Sequence, residues 1–400
     1  MKNNRNFLFL MLGQSLANIG DVLYIVAVIS IIYDATQSAA ASTFVPFTIT
    51  SAMFISGTIT PIFIGRFPLK PLLTWSQAAK TVLMFGLGTM LMMEQNLYLI
   101  FIVIAVIALF DGCANPVRQA LVPYYVAEER LLKANGFSET ITQSIQIGTW
   151  FFGSLLLMVF TPIQLIWLVA ALFVISSILL CLLEKVEHQS KKQGNTWSQL
   201  TIGWQTIKVT PVLKILVKME SLETIAGSVW IAAILLVYVK QVLHAGEQWW
   251  GFINSAYFIG LVVGSLICVR FSAFVDGNRN RFIVFGVFST CIVTMLFGVT
   301  SLPLIALVLS GLIGLFGQLK NIPQQTVIQT SVPKGQLATV YAAIGTISTG
   351  VFGVSSLIMG LVSDYFGVQS VFLISAALLL GVGMLAYNNR QLFMKKEKNF

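Results

Sequence analysis

Twelve apolar runs, each about long enough to cross a lipid bilayer, set the terms on which this chain can fold. They lie at about 7–33, 40–64, 71–93, 97–122, 137–160 and 163–183, then at about 212–239, 248–271, 282–300, 302–326, 337–363 and 369–388. A membrane span needs about 20 predominantly apolar residues. In hydrocarbon every backbone N–H and C=O must be satisfied inside the protein, so runs of this length form helices. A soluble domain carries about 25% charged residues. Here only 10% are Asp, Glu, Lys or Arg, 56% are apolar, and the mean hydropathy is +0.85. The same figures exclude disorder. The expected fold is an all-α membrane protein with 12 transmembrane helices in two six-helix, pseudo-symmetric bundles. The longest polar stretch, 184–208, separates the two sets. The expected organisation is therefore a bundle at 1–183, a cytoplasmic linker at 184–211, and a second bundle with a short cytoplasmic tail at 212–400. The first run is too long for a signal peptide and lacks an A-x-A-like cleavage site.

Basic residues give the orientation. With the N-terminus inside, 19 of the 24 Lys and Arg residues fall in cytoplasmic segments. Only Lys240 falls outside, and Lys80, Lys214, Lys218 and Lys320 lie within or at the ends of runs. This bias follows the positive-inside rule and places both termini in the cytoplasm of a plasma-membrane protein. The net charge of +9 thus records topology. No basic stripe interleaved with aromatics indicates nucleic-acid binding. The four cysteines, Cys113, Cys181, Cys268 and Cys291, all lie in apolar stretches and are expected to be buried, inert thiols. No metal-ligand spacing is present, so neither a metal nor a cofactor is expected.

The chain also repeats itself. Val126 and Leu131, after the fourth run, align with Val332 and Leu337, after the tenth, at an offset of 206 residues. Pro116 and Pro323 lie near the ends of the preceding runs. An offset near half the chain relates the two sets of six, the arrangement of transporters with a central site between halves.

Three segments carry a family resemblance. Asn115-Pro116-Val117-Arg118-Gln119-Ala120-Leu121-Val122-Pro123 and Leu131-Leu132-Lys133-Ala134-Asn135-Gly136 are similar to the loop 4–5 signature of the drug-efflux branch of the major facilitator superfamily, which includes macrolide and enterobactin-type exporters. Gly13-Gln14-Ser15 with Gly20-Asp21 is similar to that branch's first span, and Gly360-Leu361-Val362-Ser363-Asp364-Tyr365-Phe366-Gly367 to its segment after span 11. The resemblance implies the major facilitator fold and small-molecule transport. Two features depart from it. The loop 2–3 motif has Gly65 where the family has Asp, while Arg66 and Lys70 remain. The span 5 segment Gly148-Thr149-Trp150-Phe151-Phe152-Gly153 lacks the antiporter proline.

Charges inside spans are costly and are retained for function or pairing. Asp21 is the first candidate for proton coupling, since burial favours a carboxylate that takes up a proton. Its alternative is a structural hydrogen bond to a neighbouring helix. Glu220 and Glu223, three apart on one helix face, are placed to share a proton. The alternative is a surface turn with Lys214 and Lys218. Asp111 is a coupling residue or a partner for Lys80 or Arg118. Lys80 is one half of a buried ion pair or a contact for an anionic substrate. Lys320 is expected near the inner surface, its side chain snorkelling to water. Arg66, Lys70 and Arg118 are expected at an inner gate. Trp249-Trp250 fit an interfacial anchor, and Trp150 and Trp230 fit lipid or helix packing more than stacking on cargo.

An integral-membrane enzyme would need a nucleophile or metal cluster. The chain has two separated histidines, His188 and His244, and neither an HExxH nor a GxSxG motif. No filter repeat suggests a channel, and no phosphate-binding loop suggests ATP-driven transport. The expected function is proton-antiport efflux of amphipathic, drug- or macrolide-like molecules, by a monomer whose partners are a small-molecule substrate, protons and the bilayer. Export of an endogenous metabolite such as a siderophore, and a non-transporting membrane sensor, are the alternatives.

Overall fold

The computed structural model describes residues 2–36, 39–93, 97–186, 196–230, 232–246 and 248–394. Its long helices are α1 (Lys2–Thr36), α2 (Ala39–Arg66), α3 (Leu69–Met92), α4 (Leu97–Tyr125), α5 (Leu131–Val159) and α6 (Pro162–Cys181). After α7 (Thr196–Val209) come α8 (Pro211–Gly227), α9 (Ala232–Gln241), α10 (Gln248–Arg270), α11 (Ser272–Gly277), α12 (Arg279–Val299), α13 (Pro303–Ser331), α14 (Lys334–Phe366) and α15 (Val368–Asn388).

Among the described residues, nine helices are long and apolar enough to cross a membrane: α1, α2, α4, α6, α10, α12, α13, α14 and α15. The α8–α9 pair is a tenth span, bent by 50°. The bend separates Pro211–Trp230 from Ile234–Gln241. Ahead of it, α8 passes at Gly227 into a short 3-10 turn, Ser228–Trp230, where Ser228 Oγ donates to the Ile225 carbonyl at 2.7 Å. Helices α3 and α5, of 24 and 29 residues, are as long and more polar. These twelve positions are the twelve runs. Turn chemistry marks several starts. Thr161 and Gln164 form a reciprocal capping box on either side of Pro162, and α8 and α13 each begin on proline.

Two expectations change. The expected linker is helical over Thr196–Val209. Gly203, Thr206 and Ile207 of α7 are buried at i, i+3 and i+4 spacing, a helix face the polar composition concealed. Second, Cys181 is exposed, while Cys113, Cys268 and Cys291 are buried. Cys181 is the last residue of α6, where the side chain has left the packed face.

The chain forms two compact units. One comprises residues 1–127, 144–206 and 333–346, the other 128–143, 207–332 and 347–400. Each therefore takes in the first part of a helix whose remainder belongs to the other: α5 in one case, α14 in the other. In the first unit α1 packs on α6, α2 on α4, and α3 on both α4 and α6. In the second, α8 packs on α15, α10 on α13, and α12 on both α13 and α15. The pattern is the same once the two sets of six are matched. One hydrogen bond is repeated as well. Ser176 Oγ on α6 donates to the Gly13 carbonyl on α1 at 2.7 Å, and Ser375 Oγ on α15 donates to the Ala226 carbonyl on α8 at 2.8 Å.

Backbone proximity is greatest between α10 and α13. A Cβ on Gly260 would collide with the Gly311 carbonyl, and one on Gly314 with the Tyr257 carbonyl. Gly260 and Gly264 form the small-xxx-small pattern that lets membrane helices approach closely. Gly260→Val is expected to destabilise the protein by about 3 kcal/mol, the upper end of overpacking costs. Gly381→Ala, where a Cβ meets nothing within 4 Å, is expected to be neutral or stabilising by up to about 1 kcal/mol. Thermal unfolding in detergent measures both.

Candidate functional site

Near the middle of α3 lies Lys80, 1% exposed in its side chain. Its Nζ donates to Asp21 Oδ1 on α1 at 2.8 Å and to Oδ2 at 2.9 Å. It also donates to Asp111 Oδ1 on α4 at 2.8 Å. The two aspartates keep 20% and 22% side-chain exposure. The ammonium lies 5.0 Å from the centroid of the Phe173 ring of α6, adding a cation–π contact. Local sequence makes the room. A Cβ on Gly20 would overlap the Phe173 ring, so glycine beside Asp21 admits that ring. A Cβ on Gly112 would lie 2.8 Å from Ser56 Cβ, so glycine beside Asp111 lets α4 close on α2.

At an effective dielectric of 20, opposite charges this close attract by about 6 kcal/mol, against a desolvation cost of several kcal/mol per ion. The ledger of charge is unequal. Two carboxylates face one ammonium, so the fully ionised triad carries one negative charge, and a single proton makes it neutral.

The second unit holds a related group. Lys320 on α13 pairs with Glu223 Oε2 on α8. Glu223 Oε1 is buried with no hydrogen-bond partner among the described residues. One turn away, Glu220 Oε1 accepts from Ser348 Oγ on α14 at 3.3 Å. By the repeat, α8 corresponds to α1 and α13 to α4. Asp21 and Glu223 thus stand on equivalent helices, as do Asp111 and Lys320, with the sign reversed in the second pair.

The structure therefore joins three of the sequence candidates, Asp21, Lys80 and Asp111, in one contact group. Glu220 and Glu223 instead take separate partners. Lys320 does not snorkel to the surface: it is buried, because a carboxylate on the facing helix receives it. Lys70 Nζ donates to the Cys181 carbonyl at 3.0 Å, at the negative end of α6. Arg66 closes α2 and is exposed, and Arg118 Nη2 donates to Asn115 Oδ1 at 3.3 Å within α4. Trp230 packs in an aromatic cluster with Tyr257, Phe297 and Phe372. The side chain of Trp150 lies outside the described residues.

Two polar groups escaped sequence reasoning. Asn135 on α5 is buried, and its Nδ2 donates to Thr326 Oγ1 at 3.0 Å and to Gln329 Oε1 at 2.8 Å on α13. Gln329 Nε2 returns a bond to Asn135 Oδ1 at 3.2 Å. Four residues along α5, Glu139 Oε2 accepts from Gln318 Nε2 at 3.2 Å and from Gln143 Nε2 at 3.3 Å. The available signal was the polar spacing of Asn135, Glu139 and Gln143, one face of a helix at i, i+4, i+8.

A family model described as the Major Facilitator Superfamily matches residues 222–392. Two proteins of Bacillus subtilis (strain 168) match nearly the whole chain. The uncharacterized MFS-type transporter YjbB is 30% identical over 401 residues, covering 99% of this chain and 98% of that protein. The uncharacterized MFS-type transporter YfmI is 29% identical over 406 residues, with the same coverage of 99% and 98%. Among solved structures, the E. coli fucose:proton symporter FucP aligns with a TM-score of 0.77 at 13% identity, over 97% of this chain and 99% of that one. The likeness is one of fold.

Removing Lys80 leaves two half-buried carboxylates without their shared counter-charge. Lys80→Met is expected to lower stability by about 3–5 kcal/mol, the usual cost of breaking a buried pair on one side. The triple variant Asp21→Asn, Lys80→Met, Asp111→Asn is expected to recover most of that loss. Thermal unfolding of the purified variants checks this, and wild-type stability in Lys80→Met alone contradicts it.

Proposed function

Because the chain belongs to the major facilitator superfamily, we propose that it is a secondary active exporter of amphipathic small molecules, drug- or macrolide-like, driven by proton antiport. The two bundles, 1–183 and 212–400, alternate access to a site near the midplane. The observation that carries this reading is the triad of Asp21, Lys80 and Asp111, with one carboxylate more than its ammonium can balance.

The coupling follows from charge. With the site open to the outside, a proton enters the partly exposed triad and settles on one aspartate. Lys80 then pairs with the other aspartate alone, and the group carries no net charge. A neutral triad crosses the occluded state at lower cost than an anionic one. On the inner side the proton leaves, Lys80 again holds both carboxylates, and cargo binds for the outward step. Arg66, Lys70 and Arg118 guard the cytoplasmic end, in place of the latch that Gly65 removes. The protein works as a monomer in the plasma membrane, with both termini in the cytoplasm. The proton-coupled label of FucP, a protein of the same fold, is in keeping with this scheme.

Cargo charge follows from the same residues. The span groups described above comprise the carboxylates of Asp21, Asp111, Glu139, Glu220 and Glu223 and the ammonium groups of Lys80 and Lys320. That excess of negative charge favours neutral or cationic amphipaths over anions.

Proteoliposomes loaded with a pH-sensitive dye test the proposal. Addition of a panel of cationic dyes and macrolides under an imposed pH gradient is expected to cause cargo-dependent proton movement. Asp21→Asn and Asp111→Asn are each expected to reduce that movement at least about tenfold, in line with the loss of one protonation site in a coupled step, while leaving cargo binding in place. Wild-type proton movement in both variants would sink the coupling role of the triad.

A further inference from the structure

At one end of the second unit, the start of α12 and the residues at and just past the end of α15 line an open cleft of about 500 Å³. Its lining is Asn280, Arg281, Val284, Phe285, Tyr387 and Arg390. Two arginines dominate it. Neither Arg281 nor Arg390 has a carboxylate partner among the described residues, whereas the neighbouring Arg279 is engaged by Asp276 at 2.7 Å. Arg390 stacks its guanidinium on the Tyr387 ring at 4.2 Å, which holds it at the rim of the cleft. Val284 and Phe285 add apolar lining, and exposed apolar residues continue along both helices. Phe285, Ile292 and Met295 of α12 and Leu380 and Met384 of α15 are exposed.

A basic head pocket joined to an exposed apolar track along two membrane helices matches one ligand chemistry. We propose that this cleft is a binding site for an anionic phospholipid, its phosphate held by Arg281 and Arg390 and its acyl chain lying against Phe285 and the apolar track between α12 and α15. Basic pockets between membrane helices on the cytoplasmic side recognise anionic headgroups, and the distribution of basic residues places this end of the bundle there. Two planar guanidinium groups grip phosphate oxygens through parallel N–H donors, which a choline headgroup weakens by bringing its own cation. A free phosphate would engage the arginines and leave the apolar track bare.

The test uses the full-length protein, purified in detergent and stripped of lipid. Phosphatidylglycerol, phosphatidylcholine or inorganic phosphate is added, and bound lipid is counted by native mass spectrometry. Phosphatidylglycerol is expected to bind in preference to phosphatidylcholine. Binding is expected to weaken by about thirtyfold in Arg281→Gln/Arg390→Gln, roughly fivefold per basic contact. Both arginines are exposed, so unfolding of this variant without lipid is expected to match wild type. Arg281→Lys/Arg390→Lys is expected to retain most of the preference. Equal retention of phosphatidylglycerol by wild type and the glutamine variant overturns the site. Displacement of the lipid by millimolar inorganic phosphate overturns the lipid assignment in favour of a free anion.

Discussion

Charge without water is the constraint on which the rest of this molecule rests. A lysine in the middle of a membrane helix is stable only if other helices bring carboxylates to it. Lys80 is met from two sides, by α1 and α4. The small residues beside those carboxylates, the ring of Phe173 and the close approach of α2 to α4 all follow from assembling that contact. The pairing of Lys320 with Glu223 imposes the same demand on α8 and α13. In each unit the first and fourth helices are thereby tied through their polar residues, over and above the packing of their apolar faces. Membrane helices gain little from hydrophobic burial against one another, so such ties and close small-residue contacts are the main specific terms available.

The number, class and approximate limits of the helices were legible in the sequence, because a bilayer converts apolar run length directly into helix length. The repeat was legible too, through Val126 and Leu131 against Val332 and Leu337. The partners of each charge were not. A run shows that a lysine is inside a helix but not toward which neighbour it points. Lys320 illustrates this: near the end of an apolar run, snorkelling and burial are equal choices until Glu223 is placed opposite. Glu220 and Glu223 share a helix face, yet that face is wide enough for α13 to take one and α14 the other. The bend after Trp230 and the helix at 196–209 were missed for a related reason. Both lie where local composition is ambiguous and packing decides. Asp21 and Asp111 could be named as candidates, but their common dependence on Lys80 required three helices to be in place.

The correspondence between the two units goes beyond their helix order. Matching helices pack on matching partners, and the serine-to-carbonyl bond from the sixth helix to the first recurs from the twelfth to the seventh. The polar centres have diverged against this common frame. Where the first unit places an aspartate on its fourth helix, the second places a lysine. One scaffold thus carries two differently charged interiors.

The buried bonds of Asn135 have a consequence for synthesis. Its partners Thr326 and Gln329 lie 191 and 194 residues further along the chain. At translation rates of 5–20 residues per second, roughly 10–40 seconds pass before they leave the ribosome. For that interval the start of α5 holds a side-chain amide and, at Glu139, a carboxylate whose partner Gln318 has yet to be made. The polar face of α5 that carries Asn135 and Glu139 can therefore take its final partners only once the tenth helix, α13, has been made.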